Sequence, residues 1–520
     1  MRGAFVLTAA SFVAKILSAV YRVPYQNLAG DEGFYVYQQV YPIYGIAMTL
    51  ALSGLPQFIS KYVAEKRGPK EQRDALTELF PLVTGFGLVL WAITFFGSRQ
   101  IATGMGDIGL TSLIQVVSFT FVLMPLLSIT RGEFQGKLMM IPTAVSQVVE
   151  QLIRVGVILV AAWSFQQFHW DVYHTGTVAM VGALAGGTVA TLILQYYRHK
   201  ILGTSTPVAF LEITDRSKAL MKRLVIEGGL MTVYSGYLIL FQLVDSFTIK
   251  KALVDSGLTE HGAKVAKGVY DRGQPLVQLG LVVALALSSS FLPVLTRYLT
   301  NRERRLFIKS SQIFLRLTCG VAAAASLGLI LLLPYVNFAL FKDYSGNLTL
   351  VLFVFAIFLM AMIQSYQSIA QSQNQYRISL KAAGWGLLLK ILFTNFFTKM
   401  WGTVGASLAT LMGLSFALLV LHRGSDPELI GYLKERKFGK KLAACLSGMA
   451  ISLFGYYTVL LVLGNPVQHR SQALLAALFG VLIGASIFLF LAIRLKLLTT
   501  REWLMLPMGS KILRLRWKRE

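Results

Sequence analysis

Two basic residues lie in the first apolar stretch of this sequence with no acidic residue one helical turn away. Lys15 and Arg22 alternate with Ser11 and Ser18 at spacings of three or four residues, so all four side chains share one face of a helix. Cations and hydroxyl groups on one face are suited to charge-assisted hydrogen bonds with an anion. The alternative is that each cation extends to a membrane surface, which is easier for Arg22 than for Lys15. We predict that this face lines a polar cavity and binds an anionic group.

A second polar stripe occurs further along the chain. Gln147, Glu150, Gln151 and Arg154 share one helical face. Glu150 and Arg154 are four residues apart, where they can neutralise each other. The pattern leaves two interpretations equally open: a structural clamp, or contacts to the same anionic ligand.

Two acidic residues are candidates for coupling to a cation. Glu227 and Asp245 share a helical face with Tyr234, because the intervals of seven and eighteen residues complete nearly whole turns. Arg223 can pair with Glu227 one turn away. Asp245 has no local partner, so it is the better candidate for binding Na+ or a proton, unless a basic residue of another helix neutralises it.

Three amides and one further cation also lie in apolar stretches. Gln364, Gln367 and Gln371 share a face and are suited either to binding sugar hydroxyls or to joining helices. Lys390 has no acidic residue near it in the sequence and is a further candidate for the cationic cavity.

The composition places these residues in a membrane. The chain has 520 residues, of which 55% are hydrophobic and only 14% charged, with a formal net charge of +25. Soluble domains carry about 25% charged residues, so a soluble enzyme, a disordered chain and a nucleic-acid-binding protein are excluded. Cys319 and Cys445 are far apart, and no cluster of ligands predicts a metal site.

The sequence predicts an all-α integral membrane protein with about fourteen transmembrane helices. Each membrane span needs about 20 predominantly apolar residues. Spans 1 to 14 are predicted, in order, at 4–24, 35–60, 77–97, 110–130, 138–163, 175–197, 224–249, 273–296, 310–340, 346–371, 379–398, 402–422, 442–464 and 472–495.

Charge assigns an orientation to these spans. If the N-terminus is cytoplasmic, 35 of the 49 basic residues fall in inner segments, as the positive-inside rule requires. The first span has no cleavage site typical of a signal peptide. We therefore predict a multi-pass protein of the plasma membrane with both termini in the cytoplasm.

A short pattern is repeated six spans apart. Tyr37–Pro42 and Tyr270–Pro275 both read Tyr-x4-Pro, and each is followed by a second proline, Pro56 or Pro293. Equal orientation of the two copies predicts a parallel repeat, with Pro42, Pro56, Pro275 and Pro293 as hinges. The predicted domains are an N-lobe at 1–200, a cytoplasmic linker at 201–223, a C-lobe at 224–423, an extra pair of spans at 424–496 and a basic cytoplasmic tail at 497–520 that binds anionic lipids.

Three stretches resemble a known family. The region 15–42, the segment Arg131-Gly-Glu-Phe-Gln-Gly136 and the segment from Pro142 to Arg154 are similar to the polysaccharide biosynthesis and stage V sporulation protein B family. That family belongs to the multidrug/oligosaccharidyl-lipid/polysaccharide (MOP) exporter superfamily and is related to MurJ-type lipid II flippases.

The resemblance implies a fold and a mechanism. It implies two pseudo-symmetric six-helix lobes with two extra C-terminal helices. It also implies that the protein is a flippase, which moves an undecaprenyl-pyrophosphate-linked saccharide from the inner to the outer leaflet by alternating access. The cargo would be lipid II or another cell-envelope or spore precursor. The resemblance implies that Lys15, Arg22 and Arg272 are cavity cations. The paired arginines of MurJ-type proteins in span 2 are replaced here by Gly45 and Ile46.

Two other functions compete with this interpretation. A drug/cation antiporter of the MATE type would need acidic cavity residues, and a membrane glycosyltransferase or polymerase using Asp31 or Glu32 would need longer outer loops. No phosphate-binding Walker loop is present, so the expected energy sources are the membrane potential and a coupling cation. We expect no enzyme activity, no cofactor and no nucleic-acid partner, and a monomer that docks with cell-envelope synthases.

Overall fold

The computed structural model describes residues 2–203, 215–433, 437–462, 469–499 and 502–503. Residues 204–214 of the predicted linker, and residues 500–501 and 504–520 of the predicted tail, lie outside the described residues. Within the described ranges the chain is helical and contains no strand, which confirms the all-α prediction. The α-helices are Arg2–Val20, Arg22–Thr49, Leu55–Ala64, Pro69–Phe96, Ser98–Gly104, Thr111–Ser118, Thr120–Gly136, Met140–Phe168, Val172–Leu202, Asp215–Arg223, Gly229–Ser235, Tyr237–Asp255, Glu260–Asp271, Gly273–Gly280, Val282–Thr300, Arg304–Phe341, Asn347–Ser372, Tyr376–Gly424, Pro427–Ile430, Phe438–Val462 and Arg470–Arg494.

Eleven helical stretches of the described chain are long and apolar enough to cross a membrane, or twelve if a bent pair is counted as one span. Two of them, Ala9–Ala64 with 56 residues and Tyr376–Gly424 with 49 residues, are about twice the length that a bilayer requires. Each contains two of the predicted spans and a turn. Within the described residues, each of the fourteen predicted spans therefore falls on an observed helix, and the chain is a multi-span membrane protein.

The first long stretch reverses its direction at Gly30. Gly30 has a φ of 71°, a backbone conformation that glycine adopts at little cost. The hydroxyl groups of Tyr21 and Tyr37 lie 2.9 Å apart, although sixteen residues of straight helix would separate them by about 24 Å. Spans 1 and 2 are therefore an antiparallel hairpin.

The second long stretch turns at Gly402. Trp401 and Gly402 leave the helical conformation, and a side chain added at Gly424 would meet Ile378 from the other end of the same stretch. Spans 11 and 12 thus also form a hairpin.

Span 7 is bent. The segments Ser217–Ser235 and Tyr237–Asp255 meet at an angle of 76°, and π-helical turns occur at Leu224–Gly228 and, in span 2, at Leu50–Gly54. Such turns are frequent at functional sites.

The chain divides into two compact units. Unit 1 comprises Met1–Asp271 and Leu387–Ala406, and unit 2 comprises Arg272–Gly386 and Ser407–Glu520. Unit 1 contains spans 1 to 7 and most of span 11, and it holds most of the predicted site residues. The predicted boundaries of the lobes, linker and tail remain predictions.

Candidate functional site

The polar stripes of spans 1 and 5 face each other in unit 1. Ser11 Oγ donates to Gln147 Oε1 across 3.0 Å, and Arg154 Nη2 donates to Ser18 Oγ across 3.2 Å. Between these two contacts the side chain of Lys15 is exposed. The hydroxyl groups predicted on one face of span 1 therefore lie beside span 5, and Lys15 remains accessible.

Arg22 is fully buried without a counter-ion. Its relative exposure is 0%. The Tyr21 hydroxyl lies close to it, but none of its three guanidinium nitrogens forms a well-aligned hydrogen bond with the described residues. Its guanidinium carbon lies 4.3 Å from the centroid of the Tyr41 ring. The ring stabilises the cation in part but leaves its N–H donors unoccupied.

Arg154 is the second cation of this region. Its Nη2 donates to Gln151 Oε1 at 2.7 Å, whereas Nε and Nη1 have no partner among the described residues. The guanidinium carbon lies 4.7 Å from the centroid of Tyr44 and 5.2 Å from that of Tyr21. Arg154 thus also has unused donors among aromatic rings.

Five tyrosines are grouped with the two cations, and sequence reasoning did not connect them with the site. They are Tyr21, Tyr25, Tyr37, Tyr41 and Tyr44, all buried. Four of them lie near a guanidinium, and Tyr25 packs against Tyr37 with ring centroids 5.1 Å apart. The spacing of Tyr37, Tyr41 and Tyr44, at i, i+4 and i+7, was the signal that could have placed them on one helical face. We call these tyrosines together with Arg22 and Arg154 the arginine–tyrosine cluster.

Neighbouring carboxylates do not neutralise this cluster. The charges of Glu150 and Asp271 reach it, but each is paired with another base. Glu150 Oε2 lies 2.6 Å from Arg131 Nη2, and Asp271 Oδ1 lies 2.6 Å from Lys267 Nζ. The cluster therefore keeps two positive charges and unused donors, as an anion-binding site requires.

The pair expected between Glu150 and Arg154 is not formed. Glu150 instead pairs with Arg131 of span 4, and Arg131 also donates to Ala51 O and Ser146 Oγ, each at 3.3 Å. A longer-range ion pair with several hydrogen bonds replaces the local one, because it satisfies more of the guanidinium donors. Glu150 is thus paired with Arg131 and not with Arg154, and both interpretations of its role remain predictions.

Arg272, in unit 2, is also buried but has a partner. It donates from Nη1 and Nη2 to the two carboxylate oxygens of Asp343, at 2.7 and 2.9 Å, and lies 5.1 Å from the Phe341 ring centroid. Burial would raise the pKa of the Asp343 carboxyl, but hydrogen bonds from Arg272 and Ser345 outweigh it and hold the pKa below its usual value. A ligand that binds both Nη1 and Nη2 of Arg272 would have to replace Asp343.

Lys390 and Asp245 are brought together by spans 11 and 7. Lys390 Nζ lies 2.7 Å from Asp245 Oδ1, and the hydroxyl of Tyr270 donates to Oδ2 at 3.1 Å. Of the two interpretations left open for Asp245, the structure shows a basic partner on another helix. Lys390 therefore does not stand alone, and its charge is neutralised.

Glu227 lies in a network of charges at the predicted inner ends of spans 2 and 7. The predicted pair with Arg223 is formed at 2.7 Å, and Lys61 Nζ lies 2.9 Å from the other carboxylate oxygen. Arg223 also donates to Glu65, and this hydrogen bond lowers the pKa of Glu65 despite partial burial. These pairs join the two spans.

The remaining predicted residues are located as follows. Gln364, Gln367 and Gln371 all lie on helix Asn347–Ser372 in unit 2, where Gln367 is buried and the other two are partly exposed. Pro42 and Pro293 lie inside helices, Pro56 lies in the first turn after a π-helical turn, and Pro275 follows a helix break at Arg272. Their roles as sugar contacts and hinges remain predictions.

An apolar groove occurs in unit 2 between span 9 and the last two spans. Its volume is about 370 Å³, within the range of ligand pockets. The lining includes Gly328, Leu332, Met449, Leu453, Gly484 and Phe488. In the described parts of the chain no three acidic, histidine or cysteine residues are grouped so as to hold a metal ion.

Sequence comparison identifies the family of this chain. The profile described as "Polysaccharide biosynthesis protein" matches residues 1–299, which is more than half of the sequence. The chain belongs to the polysaccharide biosynthesis protein family. The predicted resemblance is confirmed.

Several relatives are found in Bacillus subtilis (strain 168). This member of the polysaccharide biosynthesis protein family is 34% identical to uncharacterized membrane protein YabM over 523 residues, covering 100% of this chain and 97% of YabM. It is 25% identical to lipid II flippase MurJ over 532 residues, covering 95% of each chain. It is 23% identical to stage V sporulation protein B, covering 83% of this chain and 84% of that protein.

Solved structures show the same fold. A structure of lipid II flippase MurJ in an inward closed conformation aligns with a TM-score of 0.69 at 14% identity, covering 94% of this chain and 98% of that one. An inward-facing MATE family transporter of the MOP superfamily aligns with a TM-score of 0.64 at 14% identity, covering 83% and 99%. This member of the polysaccharide biosynthesis protein family thus has a MurJ- and MATE-like fold.

Proposed function

We propose that this protein is a flippase that moves an undecaprenyl-pyrophosphate-linked saccharide from the inner to the outer leaflet by alternating access. The cargo is lipid II or another precursor of a cell-envelope or spore polysaccharide. Membership of the polysaccharide biosynthesis protein family and the similarity to flippase MurJ support the substrate class. The protein then acts in the plasma membrane, as a transporter with cytoplasmic termini.

The arginine–tyrosine cluster is the observation that carries this proposal. A buried cation in a membrane protein is costly unless a counter-ion or a ligand compensates its charge. The cluster contains two such cations whose buried nitrogens include five without a partner in the described chain. A pyrophosphate supplies several anionic oxygens, each able to accept from an arginine. Binding would therefore satisfy donors that the protein alone leaves unused.

Other cations would extend the path of the headgroup. Lys15 is exposed on the same face of span 1 and is suited to first contact with the anion. Arg272 would join when the pyrophosphate replaces Asp343 as its partner, which exchanges one bidentate anion for another.

The lipid tail needs a separate path, because it stays in an apolar environment throughout the cycle. The groove between span 9 and spans 13 and 14 offers about 370 Å³ lined by apolar side chains and glycines. We assign it to part of the prenyl chain.

The membrane potential supplies a driving force for such a cargo. Each elementary charge that crosses is worth about 2.3 kcal/mol per 100 mV, and an inside-negative potential moves an anion outward. A dianionic headgroup would thus gain energy on translocation without nucleotide hydrolysis.

Leaflet transfer in vesicles that contain only this protein tests the proposal. A labelled undecaprenyl-pyrophosphate disaccharide is placed in one leaflet, and its access to a membrane-impermeant reagent is followed over time. We expect faster access than in protein-free vesicles, with the saccharide unchanged. New glycosidic bonds would identify a glycosyltransferase instead, and transport of organic cations without lipid transfer would identify a MATE-type antiporter; either result contradicts the flippase.

A further inference from the structure

Lys390 and Asp245 form a buried ion pair that is separate from the arginine–tyrosine cluster. Lys390 is 0% and Asp245 2% exposed, and Nζ and Oδ1 are 2.7 Å apart. The ammonium also lies 5.3 Å from the centroid of the Phe241 ring. Such a pair survives in a membrane only because each charge neutralises the other.

Each oxygen of the Asp245 carboxylate has a polar neighbour, a hydrogen-bond donor at Oδ2 and a cation 2.7 Å from Oδ1. Tyr270 donates to Oδ2, while Lys390 occupies Oδ1. The next charged residues, Lys267 and Asp271 on the helix of Tyr270, form their own pair, with Nζ 2.6 and 2.7 Å from the two carboxylate oxygens. The charges of these four residues therefore sum to zero without an added ion.

The geometry points to Lys390 as a tethered cation that takes the place of a mobile monovalent cation at Asp245. An acidic side chain and a tyrosine hydroxyl in a buried site are oxygen ligands of the kind that bind hard cations. Here the lysine ammonium fills that position permanently, because it is fixed to span 11 by the polypeptide. Removing the ammonium should open a latent binding site for Na+ at Asp245.

One consequence concerns energy coupling. A carboxylate that carries its own counter-ion needs no cation uptake when the protein changes conformation. Under the proposed flippase function, on which this consequence rests, transport would depend on the membrane potential and not on a Na+ gradient. The binding experiment below needs no substrate, so it can fail independently of the flippase proposal.

The test compares thermal unfolding of purified full-length variants in NaCl and in equimolar choline chloride. We expect the wild-type midpoint to be the same in both salts. Lys390→Met should unfold several degrees higher in NaCl than in choline chloride, since a ligand that binds only the folded state stabilises it. The double variant Asp245→Asn with Lys390→Met should lose this difference, because no charge then needs a counter-ion.

A matched control is available on the same two helices. Lys399 Nζ pairs with Asp255 at 2.8 Å, but both side chains are about half exposed, so Lys399→Met should show no salt specificity. The proposal is overturned if the wild-type protein is already stabilised by Na+ and loses that effect in Asp245→Asn, or if Lys390→Met responds equally to both salts. If Lys390→Met does not fold, the wild-type comparison in the two salts is combined with a second variant, Lys390→Ala, to which ethylammonium is added. Recovery of the folded state of Lys390→Ala by ethylammonium supports a tethered cation, and no recovery contradicts it.

Discussion

The guanidinium of Arg22 stacks on the ring of Tyr41, with its central carbon 4.3 Å from the ring centroid. Span 1 supplies the cation and span 2 the ring, and the hairpin at Gly30 brings them together. The ring stabilises the positive charge, but it cannot accept hydrogen bonds from all of the guanidinium N–H groups. The structure thereby keeps a desolvated cation ready for an anionic ligand.

Replacing this cation should separate function from stability. Arg22→Met removes a buried charge without a counter-ion, so we expect the thermal midpoint of the purified protein to stay equal or rise. Lipid transfer should fall at least about tenfold, which corresponds to about 1.4 kcal/mol of lost transition-state stabilisation. Arg73→Gln, which changes an exposed arginine, is the matched control and should leave both quantities unchanged. A large loss of stability in Arg22→Met would mean that the cation is a structural element.

Glu150 should behave in the opposite way. Its partner Arg131 is fully buried, so Glu150→Gln leaves an uncompensated charge, which typically costs about 3–5 kcal/mol. We expect poor folding, measured as a lower thermal midpoint and less monodisperse protein. The double variant with Arg131→Met should recover much of the stability. Stable Glu150→Gln protein with impaired transport would instead place Glu150 among the substrate contacts.

The ion pair between Arg272 and Asp343 predicts a dependence on pH. Because the pKa of Asp343 is lowered in the folded protein, its contribution to stability is complete above the ordinary carboxyl pKa of about 4 and is lost as the pH falls through the lowered value. Asp343→Asn should therefore be less stable than the wild type at neutral pH, by about 1 kcal/mol for this partly exposed pair. The thermal midpoints of both proteins should begin to approach each other as the pH falls below about 4, and they should coincide once the pH is below the lowered pKa of Asp343. A difference that persists unchanged in acid would show that Asp343 acts through packing.

The same variant tests the exchange of partners at Arg272. Asp343→Asn frees the guanidinium from its competing carboxylate, so inorganic pyrophosphate should bind the purified variant more tightly than the wild type. Binding titrations measure this directly. Weaker binding would indicate that Asp343 positions Arg272 for the ligand.

Filling the apolar groove should affect cargo with long tails. Gly328 lines the groove, and a side chain added there meets no atom within 4 Å, so Gly328→Phe can fold while occupying the space. Transfer of the undecaprenyl substrate should slow more than transfer of a short-chain prenyl analogue. Gly384→Phe, at an exposed helical glycine with similar free space, is the control. Equal rates for both chain lengths in Gly328→Phe would remove the groove from the tail path.

Much of the fold could be predicted from the sequence. Apolar segments of about 20 residues are long enough to stand out individually, and all fourteen predicted spans coincide with helices wherever their residues are described. Gly30 and Gly402 adopt positive φ and turn two continuous helical stretches into hairpins. Each of these stretches contains two membrane spans, so the number of spans predicted from hydropathy exceeds the number of separate long helices.

The candidate site could be predicted only where its contacts are local. Arg22 and Arg154 were found because a charge in an apolar run is conspicuous, and Arg223–Glu227 because the two residues are one turn apart. Lys390 and Asp245 are 145 positions apart in the sequence, and Arg272 and Asp343 are 71 apart, so no periodic pattern connects them. Helix spacing predicted Arg154 as the partner of Glu150, but tertiary packing placed Arg131 there.

In the proposed function, Arg22 and Arg154 bind the pyrophosphate of a lipid-linked saccharide as it crosses the membrane. The most direct measurement is the initial rate of leaflet transfer of labelled undecaprenyl-pyrophosphate disaccharide in vesicles containing the wild type, Arg22→Met with Arg154→Met, or Arg73→Gln, at equal protein density. We predict rapid transfer by the wild type and Arg73→Gln, and a rate close to that of protein-free vesicles for the double variant. Wild-type transfer no faster than in protein-free vesicles, or undiminished transfer by the folded double variant, would contradict the account.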